Sequence, residues 1–470
     1  MTAMSRAGAC ALDEHAARAL GHALRDAGYG GGTAALIGGD VLSVLARLFS
    51  LGASVSRDAA ALALDSVGLA ALEQAGIIER CADGRISSRM RITPHEGLLF
   101  LHDRGDPRGP SDQVAAVGPA SRTLASLTIG TQVDLALDLG TGCGIQALLA
   151  ARHAGRVIAT DVSARAIGVA RVNAAMNGID NVELRCGDLF EPVRGERFGL
   201  IVANPPFVIS PETSHQFRDS DLVGDEVSRR VLSEAAEHLA DGGHATVLCE
   251  WVRREGEAWR DVPARWIEDR GCDALALHYR TSDPETYAAG WNAGLRDRNP
   301  DDYVDTVERW VAYQRTLGAA GVSTGALVLR RAAGPGSWFR AEEMPAGPSG
   351  AASEHLLRLF AAQDVIPVNR EELLEVRLAP VSGQVLRQLL VLEEAGWQAA
   401  DAELHIEPGI GVSITVPAPV VHVLLSLDGV QSLAAVVEQA AVELGAEPET
   451  LRGPAIDVAR RLLELGLATL

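Results

Sequence analysis

The sequence predicts an α/β fold: a parallel sheet with helices on both faces, preceded by a helical region and followed by a smaller α+β region. Three observations carry this. From residue 133, short apolar runs alternate with amphipathic stretches: VDLALDLG (133–140), RVIATD (156–161), NVELRCGD (181–188), FGLIVANPP (198–206) and HATVLCEW (244–251). A glycine-rich turn, ALDLGTGCGIQAL (136–148), ends the first run and opens a helix. The composition is that of a globular protein, 47% hydrophobic and 22% charged over 470 residues, enough for two or three cores.

Ahead of the sheet, ALDEHAARALGHALRDA (11–27) carries apolar residues at helical spacing, and the glycine cluster GYGGGTAALIGG (28–39) ends that helix. Helical patterns resume at DVLSVLARLF (40–49) and SRDAAALALDSVGLAALEQA (56–75). GIIERCADGRISSRMRI (76–92) then combines a short apolar run, an Asp-Gly turn and an alternating run, so helices precede a two-stranded wing, as in a winged-helix unit. GLLFLHD (97–103) reads as a further strand, DPRGPSD (106–112) as a linker, and AVGPASRTLASL (116–127) as a helix opened by Pro119.

The runs from 133 supply the sheet, with intervening helices expected near 145–153, 163–176 and 225–240. CDALALHY (272–279) is a later strand, a mostly helical insert follows near 284–318, and VSTGALVLRR (322–331) is expected as the last strand. Beyond 335 the pattern changes again and closes in SLAAVVEQAAVELG and AIDVARRLLELGLATL, a small helical or winged module. The expected domains are therefore 1–105, 106–334 and 335–470. In the last, His405 and His422 sit alone among apolar neighbours and carry no chemistry.

All 42 basic residues are arginine, which excludes a lysine Schiff base, pyridoxal-phosphate attachment and a Walker-type phosphate loop within this sequence. The net charge of −20 opposes non-specific phosphate binding. About half of that excess lies in residues 350–470, with 17 acidic residues against 7 arginines. One basic candidate is RISSRMR (85–91), either a nucleic-acid face or a solvated strand edge. Six scattered cysteines without metal-ligand spacing read as reduced thiols, so no metal and a cytoplasmic location are expected; neither a secretory pattern nor a membrane span is visible.

Chemistry concentrates where the apolar runs end. Gly140, Gly142 and Gly144 allow close backbone approach to a ligand. Their G-x-G-x-G spacing departs from the dinucleotide fingerprint, and Asp138 adds a carboxylate that would repel a pyrophosphate and attract an ammonium group. Asp161, 17 residues beyond Gly144, ends the next run and can accept both hydroxyls of a ribose; Asp188, in CGDLF, can accept from an adenine amine. The fourth run ends at Asn204, because two prolines cannot continue a ladder. Asn204, Pro205, Pro206 and Phe207 thus hold an amide and an aromatic ring stiffly at a strand's C-terminal end.

With these motifs in this order, residues 133–250 resemble the class I methyltransferases that use S-adenosylmethionine. The resemblance implies a Rossmann-like core in which Asp138, Gly140, Thr141, Gly142 and Gly144 hold the methionine end of the cofactor. It further implies that Asp161 and Asp188 hold its adenosine, and that Asn204, Pro205, Pro206 and Phe207 form the catalytic tetrad, with Asn204 also beside the cofactor. Family members with such a tetrad methylate planar nitrogens: glutamine amides of release factors or ribosomal proteins, amines of ribosomal RNA bases, or adenine in DNA.

Transfer to such a nitrogen is helped by acceptors for its N–H groups, which Asn204 and the Pro205 carbonyl can supply while Phe207 stacks on the flat substrate. The glutamine enzymes usually carry Tyr at the fourth position, where this sequence has Phe207. The stretch HQFRDSDLVGDEVSRRVLSEAAEHLADGGHA (215–245) resembles theirs. A protein glutamine amide is the expected acceptor. An rRNA or DNA base amine, a small molecule or peptide, and a non-methylating use of the fold are the alternatives.

Overall fold

A computed structural model describes residues 10–30, 40–105, 111–212, 218, 222–332, 334, 337–344, 347–366, 369–394 and 396–470. The chain divides into two compact units. One comprises Met1–Ala125, Gly130–Ala276 and Arg280–Ala341; the other comprises Ser126–Ile129, Leu277–Tyr279 and Glu342–Leu470. Much of the expected glycine cluster, most of the expected linker and part of the 215–245 stretch lie outside the described residues.

The first unit opens with helix α1 (Glu14–Asp26), whose N-cap Asp13 accepts from the Ala16 amide at 2.9 Å. Val41–Leu45 runs into a π-helical turn, Ala46–Leu51, ended by Gly52 at φ 66°. Helices Arg57–Ala63 and Leu69–Gln74 lead to two antiparallel hairpins, Ile78–Arg80 with Ile86–Ser88 and Met90–His95 with Leu98–Asp103.

The eight-stranded sheet comprises β1 (Val133–Leu139), β2 (Ala154–Asp161), β3 (Val182–Cys186), β4 (Phe198–Ala203), β5 (Leu239–Arg253), β6 (Cys272–Ser282), β7 (Gly321–Arg331) and β8 (Phe339–Glu343). Its order is β8-β6-β7-β5-β4-β1-β2-β3. β1 to β5 pair in parallel; the inner strands are mostly apolar where helices cover both faces, whereas the edge strand β3, VELRC, is only partly buried. Two expectations are corrected. β7 runs antiparallel to β5, from Gly321 opposite Arg253 to Arg330 opposite His244, so the sheet is mixed. VSTGALVLRR is also not the last strand: β8 adds an edge beside β6, where the Ala274 amide donates to the Trp338 carbonyl at 2.8 Å. Its residues, FRAEE, alternate too weakly to announce a strand.

Helices α2 (Ile145–Ala150), α3 (Ala164–Met176) and α4 (Glu226–His238) connect the parallel strands. α3 binds the N-terminal elements closely to the sheet. A Cβ at Gly21 of α1 would lie 1.9 Å from the Met176 carbonyl oxygen, a separation only glycine permits. Fully buried Asn173 accepts from the Leu101 amide at 2.8 Å and donates to the Leu101 and Cys143 carbonyls at 2.9 and 2.8 Å. Asn177, one turn on, makes the same exchange with Leu99. A single apolar cluster consequently runs from Leu20, Phe49 and Phe100 through Val169 to Val157 and Val202.

In the second unit, a three-stranded antiparallel sheet (Gln384–Glu393, Gly396–Ile406, Ser413–Val416) accompanies helices Ser353–Val365, Val420–Leu425, Leu433–Leu444 and Pro448–Glu464. His355 is buried, between the Leu465 carbonyl at 2.6 Å and the Ile410 amide at 3.2 Å, and burial lowers its pKa to about 4. His422 is exposed and His405 lies 3.2 Å from Glu407. Among the described residues no helix is long and apolar enough to cross a membrane.

Candidate active site

The strand order reverses between β1 and β4, and an open α/β sheet forms its ligand crevice at such a point, beyond the C-terminal strand ends. Asp138 pairs with Val202 and Leu139 with Ala203, so the glycine turn and Asn204 leave adjacent strands side by side. A cavity of about 540 Å³ opens there, within the range of small-molecule sites. Asp138, Gly140, Thr141, Gly142, Asp161, Asp188, Asn204 and Pro206 all line it.

Three side chains hold the glycine turn in shape. Asp138 is buried, and its Oδ2 accepts from the Thr141 hydroxyl at 2.6 Å and from the Ala147 amide, in the first turn of α2, at 2.9 Å. Burial pushes its pKa up to about 7 against the pull of those two donors. Asp161 Oδ2 accepts from the Gly142 amide at 2.9 Å and Oδ1 from the Ser163 amide at 2.8 Å; burial raises its pKa too. Asn173 holds the Cys143 carbonyl.

The glycines divide by role. Gly140 (φ 72°) and Gly142 (φ 55°) have nothing within 4 Å of a notional Cβ, so they leave the cavity wall open. Gly144 instead meets Leu148 Cδ1 at 3.1 Å and Ala170 Cβ at 3.3 Å, which makes it a packing glycine between α2 and α3. Its place in the turn is helix packing, although it is absent from the cavity lining.

The tetrad is split as well. Asn204 and Pro206 line the cavity, and Asn204's side chain has no hydrogen-bond partner among the described residues. Pro205 is buried, while Phe207 is half-buried against two apolar clusters, one under the sheet and one around Val208, Ile209, Tyr287 and Trp310. Neither Pro205 nor Phe207 is among the lining residues.

Sequence reasoning missed Arg230. It lines the cavity from α4, with Nη1 3.5 Å from Asp188 Oδ2 and Nε donating to Glu234 at 2.7 Å. The signal was available: a helix linking β4 to β5 must return across the crevice, which brings the SRR of its first turns near the end of β3. The Arg-rich strand at 85–91 offers less free charge than its sequence suggests. Arg85 donates to Ser54 Oγ at 2.9 Å, and Arg89 pairs with Glu79 at 2.6 Å.

Residues 115–253 match the family model for the methyltransferase small domain, and residues 9–89 match a domain of unknown function. A ribosomal protein uL3 glutamine methyltransferase of Bradyrhizobium diazoefficiens is 39% identical over 155 residues, covering 29% of this chain and 48% of that protein. A release factor glutamine methyltransferase of Deinococcus radiodurans is 34% identical, over 39% of this chain and 58% of its own length. A ribosomal RNA small subunit methyltransferase C of Alcanivorax borkumensis is 34% identical, over 28% and 35%. The match thus spans less than two thirds of each relative. Residues 115–253, with their glycine turn, strand-end acids and switch-point cavity, are a class I S-adenosylmethionine-dependent methyltransferase domain.

Proposed function

We propose that this chain methylates a planar nitrogen, a protein glutamine side-chain amide, using S-adenosylmethionine. The observation that carries the proposal is Asn204: its amide side chain, without a hydrogen-bond partner among the described residues, lines the same cavity as the Asp138–Gly142 turn. The cavity suits the cofactor because Gly140 and Gly142 leave its wall open and the carboxylates of buried Asp138 and half-buried Asp161 line it. In this reading Asp138, with Gly140, Thr141 and Gly142, holds the methionine end. Each oxygen of Asp161 keeps a lone pair for the ribose, and Asp188 accepts from the adenine amine. When bound, the cofactor supplies an electrophilic methyl group.

The chain's own residues prepare the nitrogen. Asn204 Oδ1 accepts one amide N–H and the Pro205 carbonyl a second, which raises electron density on nitrogen and turns its lone pair toward the methyl. The proline rings restrict the backbone that carries both acceptors. Phe207 limits where a flat group can sit. The alkylated nitrogen loses its proton readily to water, so no strong base is needed, and among the described residues no histidine lines the cavity.

Two relatives named for glutamine methylation support the amide, and a relative named for ribosomal RNA supports the base-amine alternative. The −20 charge and the engagement of Arg85 and Arg89 favour the protein acceptor, which would be met in the cytoplasm. The test is to incubate the protein with radiolabelled S-adenosylmethionine and host lysate, then split the products between RNase and protease. Label that survives RNase and is lost to protease is expected; the reverse would establish the base amine, and label in neither would overturn macromolecular methylation.

Asp138 gives a pH dependence. Its carboxyl is raised to about 7, whereas pairing with the cofactor's ammonium requires the ionised form. Affinity should therefore be highest between about pH 7 and pH 8, where the carboxylate and the ammonium are both charged, and fall by up to about tenfold per unit below about pH 7, with a proton released from Asp138 on binding near neutrality. Calorimetry in two buffers of different ionisation enthalpy reads both effects. Flat affinity across this range would show that Asp138 does not meet the ammonium.

A further inference from the structure

The helical insert between β6 and β7, comprising Pro284–Trp291, Ala293–Arg296 and Pro300–Thr316, is absorbed neither by the sheet nor by the cofactor cavity. Its side chains converge on the chain that follows the tetrad. Tyr287 is buried, and its hydroxyl accepts the Ile209 amide at 3.0 Å while donating to Glu250 on β5. Because the hydroxyl proton is directed to Glu250, which Thr324 of β7 also supports at 3.0 Å, the phenolic lone pair stays turned toward Ile209.

Gln314 Nε2 donates to the Ile209 carbonyl at 3.4 Å, so both main-chain groups of that residue are held by side chains of the insert. Arg309 donates to Glu212 at 2.8 Å, and the Tyr313 hydroxyl accepts the Gly224 amide at 3.0 Å. Around these bonds Val208, Ile209, Tyr287, Trp310 and Val311 form one apolar cluster, against which Phe207 packs.

We propose that this insert positions the acceptor side of the site: Tyr287 and Gln314 fix Ile209 and with it Phe207, while Arg309 and Tyr313 fix Glu212 and Gly224, so that an acceptor polypeptide is presented in register with Asn204. The inference rests on the planar-nitrogen reading above. These are positioning residues, since none of them lines the cofactor cavity.

The test uses Tyr287→Phe, which keeps the ring and deletes the hydroxyl, in the full chain. Three quantities are read: amide exchange at Ile209, S-adenosylmethionine affinity by calorimetry, and methyl incorporation into the protease-sensitive fraction at graded lysate concentrations. Expected are exchange at Ile209 about tenfold faster, cofactor affinity within about twofold of the parent, and incorporation at low lysate down about tenfold. Unchanged exchange, unchanged incorporation, or an equal loss of cofactor affinity would overturn the proposal.

Tyr313→Phe, read at the Gly224 amide, gives the same decision should Tyr287→Phe not fold. If the parent protein labels no macromolecule, the planar-nitrogen reading fails by itself. Exchange and cofactor affinity then still decide whether the insert holds Ile209 and Gly224 independently of the cofactor site.

Discussion

Asn204→Ala is expected to lower methyl transfer by about 10²–10³-fold, the scale of removing one preorganised hydrogen-bonding group from a site where charge develops. Cofactor affinity should stay within about twofold, because the glycine turn is held by Asp138, Asp161 and Asn173 and not by Asn204. The loss should fall on kcat, since the contact strengthens as the nitrogen acquires positive charge. Radiometric rates and calorimetry on the same preparation check both halves. A variant that lost cofactor affinity in proportion to rate would make Asn204 part of the cofactor's seat and leave the acceptor without its amide partner.

Asn173→Ala is expected to be the most destabilising single change considered. It strands the Leu101 amide, the Leu101 carbonyl and the Cys143 carbonyl at buried residues, at about 1–3 kcal/mol for each unsatisfied group. A total of about 3–9 kcal/mol, read from urea unfolding, is a large fraction of ordinary domain stability. Asn177→Ala is the control: it removes the bonds to Leu99 but touches nothing in the glycine turn. Both variants should be destabilised, and only Asn173→Ala should also weaken cofactor binding. Equal cofactor affinities would show that the Cys143 bond does not shape the site.

The parallel strands and the acids at their ends were legible because each depends on local sequence. A switch of apolar period announces a buried strand, and two prolines announce where it must stop. What the sequence withheld depends on partners far away in the chain. Asn173 reads as an ordinary polar position in a helix, and its function appears only when residue 101 arrives beside it. Arg85 and Arg89 read as free positive charge because Ser54 and Glu79 are invisible to a pattern search. Gly144 shares its spacing with Gly140 and Gly142, yet spacing cannot distinguish a glycine lining a cavity from one facing Ala170. The antiparallel course of β7 likewise leaves no mark in an apolar run.

The three side chains that pin the glycine turn have a consequence for affinity. A turn with three glycines in seven residues has more conformational freedom than almost any other sequence, and freezing it when a ligand arrives would subtract from binding. Here the Gly142 amide, the Cys143 carbonyl and the Thr141 hydroxyl are committed to Asp161, Asn173 and Asp138 of the chain itself. The entropy of the turn is therefore lost once, during folding, where the N-terminal strand at Leu101 helps to offset it through Asn173. Recognition then meets a rigid receptor, and ligand contacts translate into affinity with little diversion into ordering the loop.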